Sequence, residues 1–104
     1  MTDRLPPIPR EQQTESQRAA VAEILAGPRG KLQGPFVAMM RSPELMRRVQ
    51  ALGEQLRYRC VLGERLKELA ILIVARQWTQ QTEWHFHQAF ALAAGLAPET
   101  VAAV

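Results

Sequence analysis

The apolar run over residues 69–75 constrains the fold of this 104-residue chain more than any other feature. All of its residues, from Leu69 to Ala75, are hydrophobic, so a helix through them has no polar side and has to be covered by other elements. A strand would also suit this composition, but the flanking sequence is helical in pattern and lacks turn residues. The run therefore predicts a central, buried helix. It is far shorter than the roughly 20 residues that span a bilayer, so we expect no membrane partner.

Glycine and proline residues divide the remaining chain into further helices. The triplet Ser42-Pro43-Glu44 combines a hydroxyl N-cap, a proline at the first helical position and an acid in the first turn, which predicts a helix start. Gly95 stands where a helix C-cap is expected. Helices are predicted over 11–26, 36–41, 43–58, 64–77 and 82–94, with a last one starting at Pro98. Because no convincing strand is present, the predicted fold class is an all-α helical bundle.

The two ends of the chain indicate an assembly of several copies. Prolines at three positions within residues 1–10 predict an extended N-terminal arm, which leaves residues 11–104 as the helical domain. The last helix has room for only one or two turns, although Val101 and Val104 are apolar. We expect that the chain is either a C-terminally truncated version of a longer protein or completes its core against another subunit. In both cases a homo-oligomer is expected.

Charge and cysteine content argue against several classes of function. The net charge is +3, but the basic residues between Arg41 and Lys67 are spread along helices, with Tyr58 as the one tyrosine among them. Nucleic-acid binding needs a clustered basic face with interleaved aromatics, so no nucleic-acid partner is expected. The single cysteine, Cys60, cannot form an internal disulfide and is interpreted as a small buried apolar residue. No signal-peptide pattern is visible, so the cytoplasm is the expected location.

Glu83 and His87 are the polar residues that the apolar pattern explains least. They are four positions apart on one helix, and the face that they share also carries Phe86 and Phe90. A carboxylate and an imidazole among phenylalanines are costly to bury unless they are paired or used. If this helix and the preceding one form an antiparallel hairpin, Glu68 lines the same small cavity.

Two carboxylates around an imidazole are side chains that can carry out proton transfer. A carboxylate fixes the tautomer and orientation of the ring, and two carboxylates in one apolar pocket tend to leave one of them able to act as an acid. The alternative is an ion pair at a subunit interface with no chemical role. A cation held by Glu68, Glu83 and His87 would have too few certain ligands, so no metal is predicted. His85 lies on another side of the helix and is expected to be exposed.

Three stretches of the C-terminal half form a combined pattern, LKELAILIVAR at 66–76, EWHFH at 83–87 and AAGL at 93–96. Together they resemble the carboxymuconolactone decarboxylase family of the alkylhydroperoxidase D-like superfamily, over residues 41–104. The resemblance implies an all-α bundle assembled as a trimer or hexamer. It also implies a lyase of aromatic catabolism that needs no cofactor and removes CO₂ from a carboxylated lactone.

The resemblance also implies roles for individual residues. His87 would be the acid/base, Glu83 its partner and Glu68 a second proton carrier. The substrate is a small molecule with carboxylates, which Arg48 or Arg76 would anchor on the ground of charge. Trp84 is interpreted either as a packing anchor or as a wall of the substrate pocket, and so is Trp78.

A peroxidase branch of the same superfamily carries Cys-x-x-Cys-x-x-x-His across the turn between the two helices. When its histidine is placed on His87, its cysteines fall on Gln80 and Glu83, and Cys60 matches neither position. Peroxide reduction needs a thiolate and a resolving thiol, so an antioxidant activity is the disfavoured alternative. A non-catalytic oligomer that binds a small ligand is the third interpretation.

Overall fold

The computed structural model describes residues 2–104, and these form helices without any strand. Beyond one 3₁₀ turn at Arg10–Gln12, the helices are α1 (Glu15–Ala26), α2 (Pro35–Met39), α3 (Pro43–Tyr58), α4 (Glu64–Gln77), α5 (Gln81–Ala93) and α6 (Pro98–Ala103). The predicted all-α fold class is confirmed. In the described part of the chain, no helix combines the length and the apolar character that crossing a membrane requires. The chain divides into an N-terminal unit up to Arg59 and a C-terminal unit, Cys60–Val104.

The N-terminal unit packs α1, α2 and α3 around an apolar core. The core consists of Ala20, Ile24, Phe36, Met40 and Met46. The first helix begins at Glu15 rather than at residue 11, because Thr14 and Gln17 form a capping box. The Thr14 hydroxyl accepts from the Gln17 amide at 3.2 Å, while the Gln17 side chain accepts from the Thr14 amide at 2.9 Å. The prediction of a helix from residue 11 is therefore wrong for its first turn.

Polar contacts of the N-terminal unit lie at its surface and on its arm. Arg41 donates to the Pro6 carbonyl at 2.7 Å, so the proline arm packs on its own unit. Arg47 donates to Glu23 at 2.8 Å, and this hydrogen bond lowers the pKa of the Glu23 carboxyl. The α3 helix starts at Pro43 as predicted, but Ser42 makes no side-chain cap hydrogen bond.

The C-terminal unit is a hairpin of α4 and α5 closed by α6. Only residues 78–80 separate the two long helices, so they pack side by side in antiparallel directions. Within this turn Thr79 has a φ of 53°, a left-handed conformation that is uncommon for a β-branched residue. Leu72, Ala91, Leu96 and Val101 form the buried core, with Leu69, Trp84 and Val104 packed against it.

The prediction that α4 is buried all round is wrong for this chain on its own. Its inward face carries Lys67 and Glu68 together with Leu72 and Ala75. Its outward face is apolar, and Val74 is 59% exposed. Periodicity identifies a helix without a polar side, but it cannot say how many neighbours cover that helix.

Two smaller predictions for this unit are also corrected. Cys60 is half-buried and free rather than fully buried. Trp78 is largely exposed, so it is no packing anchor within the described chain. Trp84, in contrast, packs against the core of the C-terminal unit.

Candidate active site

The α4–α5 hairpin places a carboxylate deep inside the C-terminal unit. Glu68 lies on the inward face of α4, one turn before Leu72 and two turns before Ala75. Because that face is covered by α5, Glu68 is only 2% exposed. A carboxylate this deeply buried requires a hydrogen-bonding or charged partner.

His87 on α5 is the partner that Glu68 meets. Its Nδ1 lies 2.6 Å from Glu68 Oε2, a distance typical of a charge-assisted hydrogen bond. The His87 side chain is 14% exposed, and the Phe90 ring stands edge-on to the imidazole at a centroid distance of 5.5 Å. The antiparallel hairpin thus brings together two residues that are 19 positions apart in the sequence.

The other ring nitrogen of His87 faces Glu83. The distance from Nε2 to Glu83 Oε2 is 3.4 Å, and the two residues are one helical turn apart. The Glu83 side chain is 44% exposed, so this end of the arrangement reaches solvent. A neutral imidazole has a single N–H, and only the imidazolium donates from both nitrogens. The imidazole therefore lies between a buried carboxylate, to which it is hydrogen-bonded, and a half-exposed carboxylate 3.4 Å from its other nitrogen.

Lys67 is a further charged residue at this site, and neither the sequence pattern nor the family resemblance predicts a role for it. It is 7% exposed, with Nζ 2.7 Å from Glu64 Oε2 and 3.9 Å from Glu68 Oε1. A signal was present in the sequence, because Ile71 and Ala75 follow Lys67 at one and two helical turns on the same face. A lysine that begins an apolar stripe of this kind is a candidate for burial.

The residues proposed to contact substrate are placed in two different regions. Arg76 lies over the Trp84 ring, with its Cζ 5.5 Å from the ring centroid, in a cation–π contact. Arg48 belongs to α3 of the N-terminal unit, where it forms an exposed pair with Glu44 at 3.0 Å. His85 is exposed, as predicted, and lies edge-on to Phe86.

Two alternative interpretations of the site, a metal site and a cysteine-based peroxidase site, can be compared with these positions. No cluster of three or more His, Cys, Asp or Glu side chains among residues 2–104 has the arrangement of a metal site. Cys60 precedes α4 in the chain, and the residues around the His87 ring are carboxylates and an aromatic ring. What this arrangement can do chemically is to take up, hold and release a proton.

Comparison with known proteins gives one match. The family model described as the carboxymuconolactone decarboxylase family matches residues 43–104, which hold α3 to α6 and the whole Glu68–His87–Glu83 arrangement. No curated protein and no solved structure matches the chain significantly.

Proposed function

This chain belongs to the carboxymuconolactone decarboxylase family, and on that premise we propose that it is a cofactor-free carboxy-lyase. Its substrate would be a small carboxylated lactone or acid. The observation that carries the proposal is the imidazole of His87 between two carboxylates, at 2.6 Å from Glu68 and 3.4 Å from Glu83. Decarboxylation leaves a carbon that has to be protonated, and this arrangement can supply the proton.

His87 is the acid in the proposed reaction. The bond between the substrate carbon and its carboxylate breaks, CO₂ leaves, and the electron pair stays on the substrate, delocalised towards the lactone carbonyl. His87 then gives the proton on Nε2 to the carbon, since this nitrogen faces the more exposed side of the site. Glu68 holds Nδ1 and stabilises the imidazolium before the transfer. Glu83, half-exposed beside Nε2, returns a proton from solvent afterwards.

A second carboxylate of the substrate requires a cationic anchor. We assign this role to Arg76, whose guanidinium is held over the face of Trp84 and is exposed to an incoming ligand. A guanidinium binds a carboxylate through two parallel hydrogen bonds, which fixes the orientation of the ligand.

The proposed enzyme works as a homo-oligomer, a trimer or a hexamer. This is supported by large apolar side chains that the C-terminal unit leaves about half exposed or more, because contiguous apolar surface of this kind marks interaction sites. They are Val61, Leu62, Leu66, Ile73, Val74, Trp78 and Phe86. Covering them with other copies would also make α4 the buried helix that its sequence predicts.

The deciding experiment measures CO₂ release from a carboxymuconolactone by the purified protein. We expect turnover by the wild type and a loss of about 10²- to 10⁴-fold in His87→Gln, because a positioned acid contributes that much. His85→Gln is the matched control, since it changes an exposed histidine on the same helix and should leave the rate unchanged. An unaltered rate in His87→Gln would overturn the role of His87.

Other outcomes of the same study identify the alternatives. Thermal stabilisation by dicarboxylates without turnover would indicate a ligand-binding protein instead of an enzyme. Reduction of a peroxide by a dithiol donor would indicate the peroxidase activity. If that activity survived Cys60→Ser, the argument that it needs a protein thiol would fail as well.

A further inference from the structure

We propose that Lys67 is a positioning residue of this site, whose ammonium balances the buried charge of Glu68 and thereby leaves His87 able to gain and lose its proton. The inference rests on the proposed proton-transfer function and adds a fourth residue to it. Lys67 acts through Glu68 and needs no contact with substrate.

The burial of Lys67 requires an explanation. Lysine side chains normally lay their methylenes along the surface and keep the ammonium in water. Here Lys67 is 7% exposed, although its closest carboxylate belongs to Glu64, whose side chain is 68% exposed. A pair with an exposed glutamate forms equally well at the surface and contributes little stability. The contact with Glu64 therefore does not account for the inward position of Lys67.

A second carboxylate near Lys67, that of Glu68, is itself buried. One oxygen of this carboxylate, Oε2, is bonded to His87, and the other, Oε1, lies 3.9 Å from the ammonium of Lys67. If Lys67 were neutral, the imidazolium of His87 would have to balance the buried carboxylate to which it is hydrogen-bonded. An imidazole needed as a counter-ion gives up its proton less readily. With the ammonium of Lys67 beside Oε1, the charge of Glu68 is balanced without His87.

The other charged groups near His87 are carboxylates, and their negative charge is what Lys67 offsets. From α5, the Glu83 carboxylate faces Nε2. From α4, Glu68 does the same at Nδ1, and Glu64 lies on the far side of Lys67. The titratable residue of α6, Glu99, is exposed. Lys67 is thus the cation that offsets two carboxylates around one imidazole.

The test follows the protonation of the His87 ring by NMR as a function of pH, on the full chain carrying His85→Gln. The chain has two histidines, so this background leaves a single ring signal. In Lys67→Met, which removes the charge but keeps the apolar stem, the pH at which half of the rings are protonated should rise. We expect a rise of about half a pH unit or more, since a charge within a few ångströms has at least this effect. Lys67→Arg, which restores the charge, should return the value to that of the background.

The measurement needs no substrate, so a failed lyase assay would leave this test intact. An unchanged protonation curve in Lys67→Met would overturn the proposal, and so would a curve in Lys67→Arg that matches Lys67→Met. If Lys67→Met does not fold, Lys67→Gln provides the same test, because it is also uncharged. Should neither fold while Lys67→Arg does, Lys67 has a purely structural role and the proposal is wrong.

Once a substrate is known, kinetics give a second readout. Lys67→Met should shift the pH–rate profile to higher pH and change kcat, while KM stays nearly constant. A change confined to KM would mean that Lys67 binds the substrate directly, which would contradict its assignment as a positioning residue.

Discussion

The two units of this chain differ in where they place a pair of oppositely charged partners. The N-terminal unit has a core of aliphatic, aromatic and methionine side chains and keeps the Arg47–Glu23 pair at its surface. The C-terminal unit encloses the Glu68–His87 pair and leaves Val74 and Phe86 exposed. Burying an ion pair costs desolvation that its own attraction barely repays, whereas a surface pair costs little. The buried pair is therefore the costlier of the two, which supports its proposed role in proton transfer.

The same substitution in each pair provides the largest contrast. Glu68→Gln should lower the rate of decarboxylation by about 10²- to 10⁴-fold, because an amide cannot stabilise the imidazolium of His87 or hold its proton. Glu23→Gln should leave the rate unchanged. Steady-state kinetics of both variants, with melting curves to verify folding, measure the contrast. Equal rates in the two variants would contradict a chemical role for the buried pair.

Cavities in the two cores should differ in their effect on activity. Leu72→Ala and Met46→Ala each truncate a fully buried side chain and should each lower the free energy of unfolding by about 2–5 kcal/mol. Leu72 lies one turn after Glu68, so its variant should also lose turnover at temperatures where it is folded. Chemical denaturation and kinetics at low temperature separate the two effects. A loss of turnover in Met46→Ala of the same size would show that activity follows stability alone.

A charge on the apolar outer face should separate the copies of the proposed oligomer. Val74→Lys should reduce self-association by at least about tenfold, because the ammonium would have to be buried in an interface. Leu25→Lys, at an exposed leucine of the N-terminal unit, is the matched control and should not change the mass. Light scattering after size-exclusion chromatography gives the mass of each variant. A wild-type chain that is monomeric at every concentration would refute the oligomer outright.

The smallest expected effect concerns the surface pair and its dependence on pH. The hydrogen bond from Arg47 lowers the pKa of Glu23 below its ordinary value of 4.5. Folding therefore gains stability from this group above that value, and the gain disappears as the pH falls through the lowered pKa. Glu23→Gln should melt slightly below the wild type at pH 7 and at the same temperature near pH 2. A difference that persists at pH 2 would assign the effect to something other than ionisation.

The sequence predicted the helices better than it predicted their surroundings. The bounds of α3 and α4 follow from Pro43 at a first helical position and Gly63 before Glu64, and both are local signals. The start of α1 was missed because the capping box of Thr14 competes with the helix-forming composition of the residues before it. The exposed outer face of α4 depends on tertiary neighbours, which no periodicity encodes.

The candidate site was predictable to the extent that it depends on spacing. Glu83 and His87 share a face because they are four residues apart, and Glu68 joins them once the two helices form a hairpin. Lys67 was missed because charged residues near a helix start are usually solvated, although Ile71 and Ala75 follow it on the same face. The contact of Arg76 with Trp84 bridges the turn, so it depends on the path of the backbone there.

That path passes through Thr79, the β-branched residue in the left-handed conformation between α4 and α5. Holding such a residue there costs on the order of 1 kcal/mol, which the packing of the two helices has to overcome. Natural proteins are rarely at their maximum stability, so a substitution that relieves a local destabilisation of this kind can raise the stability. Asparagine tolerates the same backbone conformation. Thr79→Asn is therefore a route to a more heat-resistant protein that leaves the residues of the site as they are.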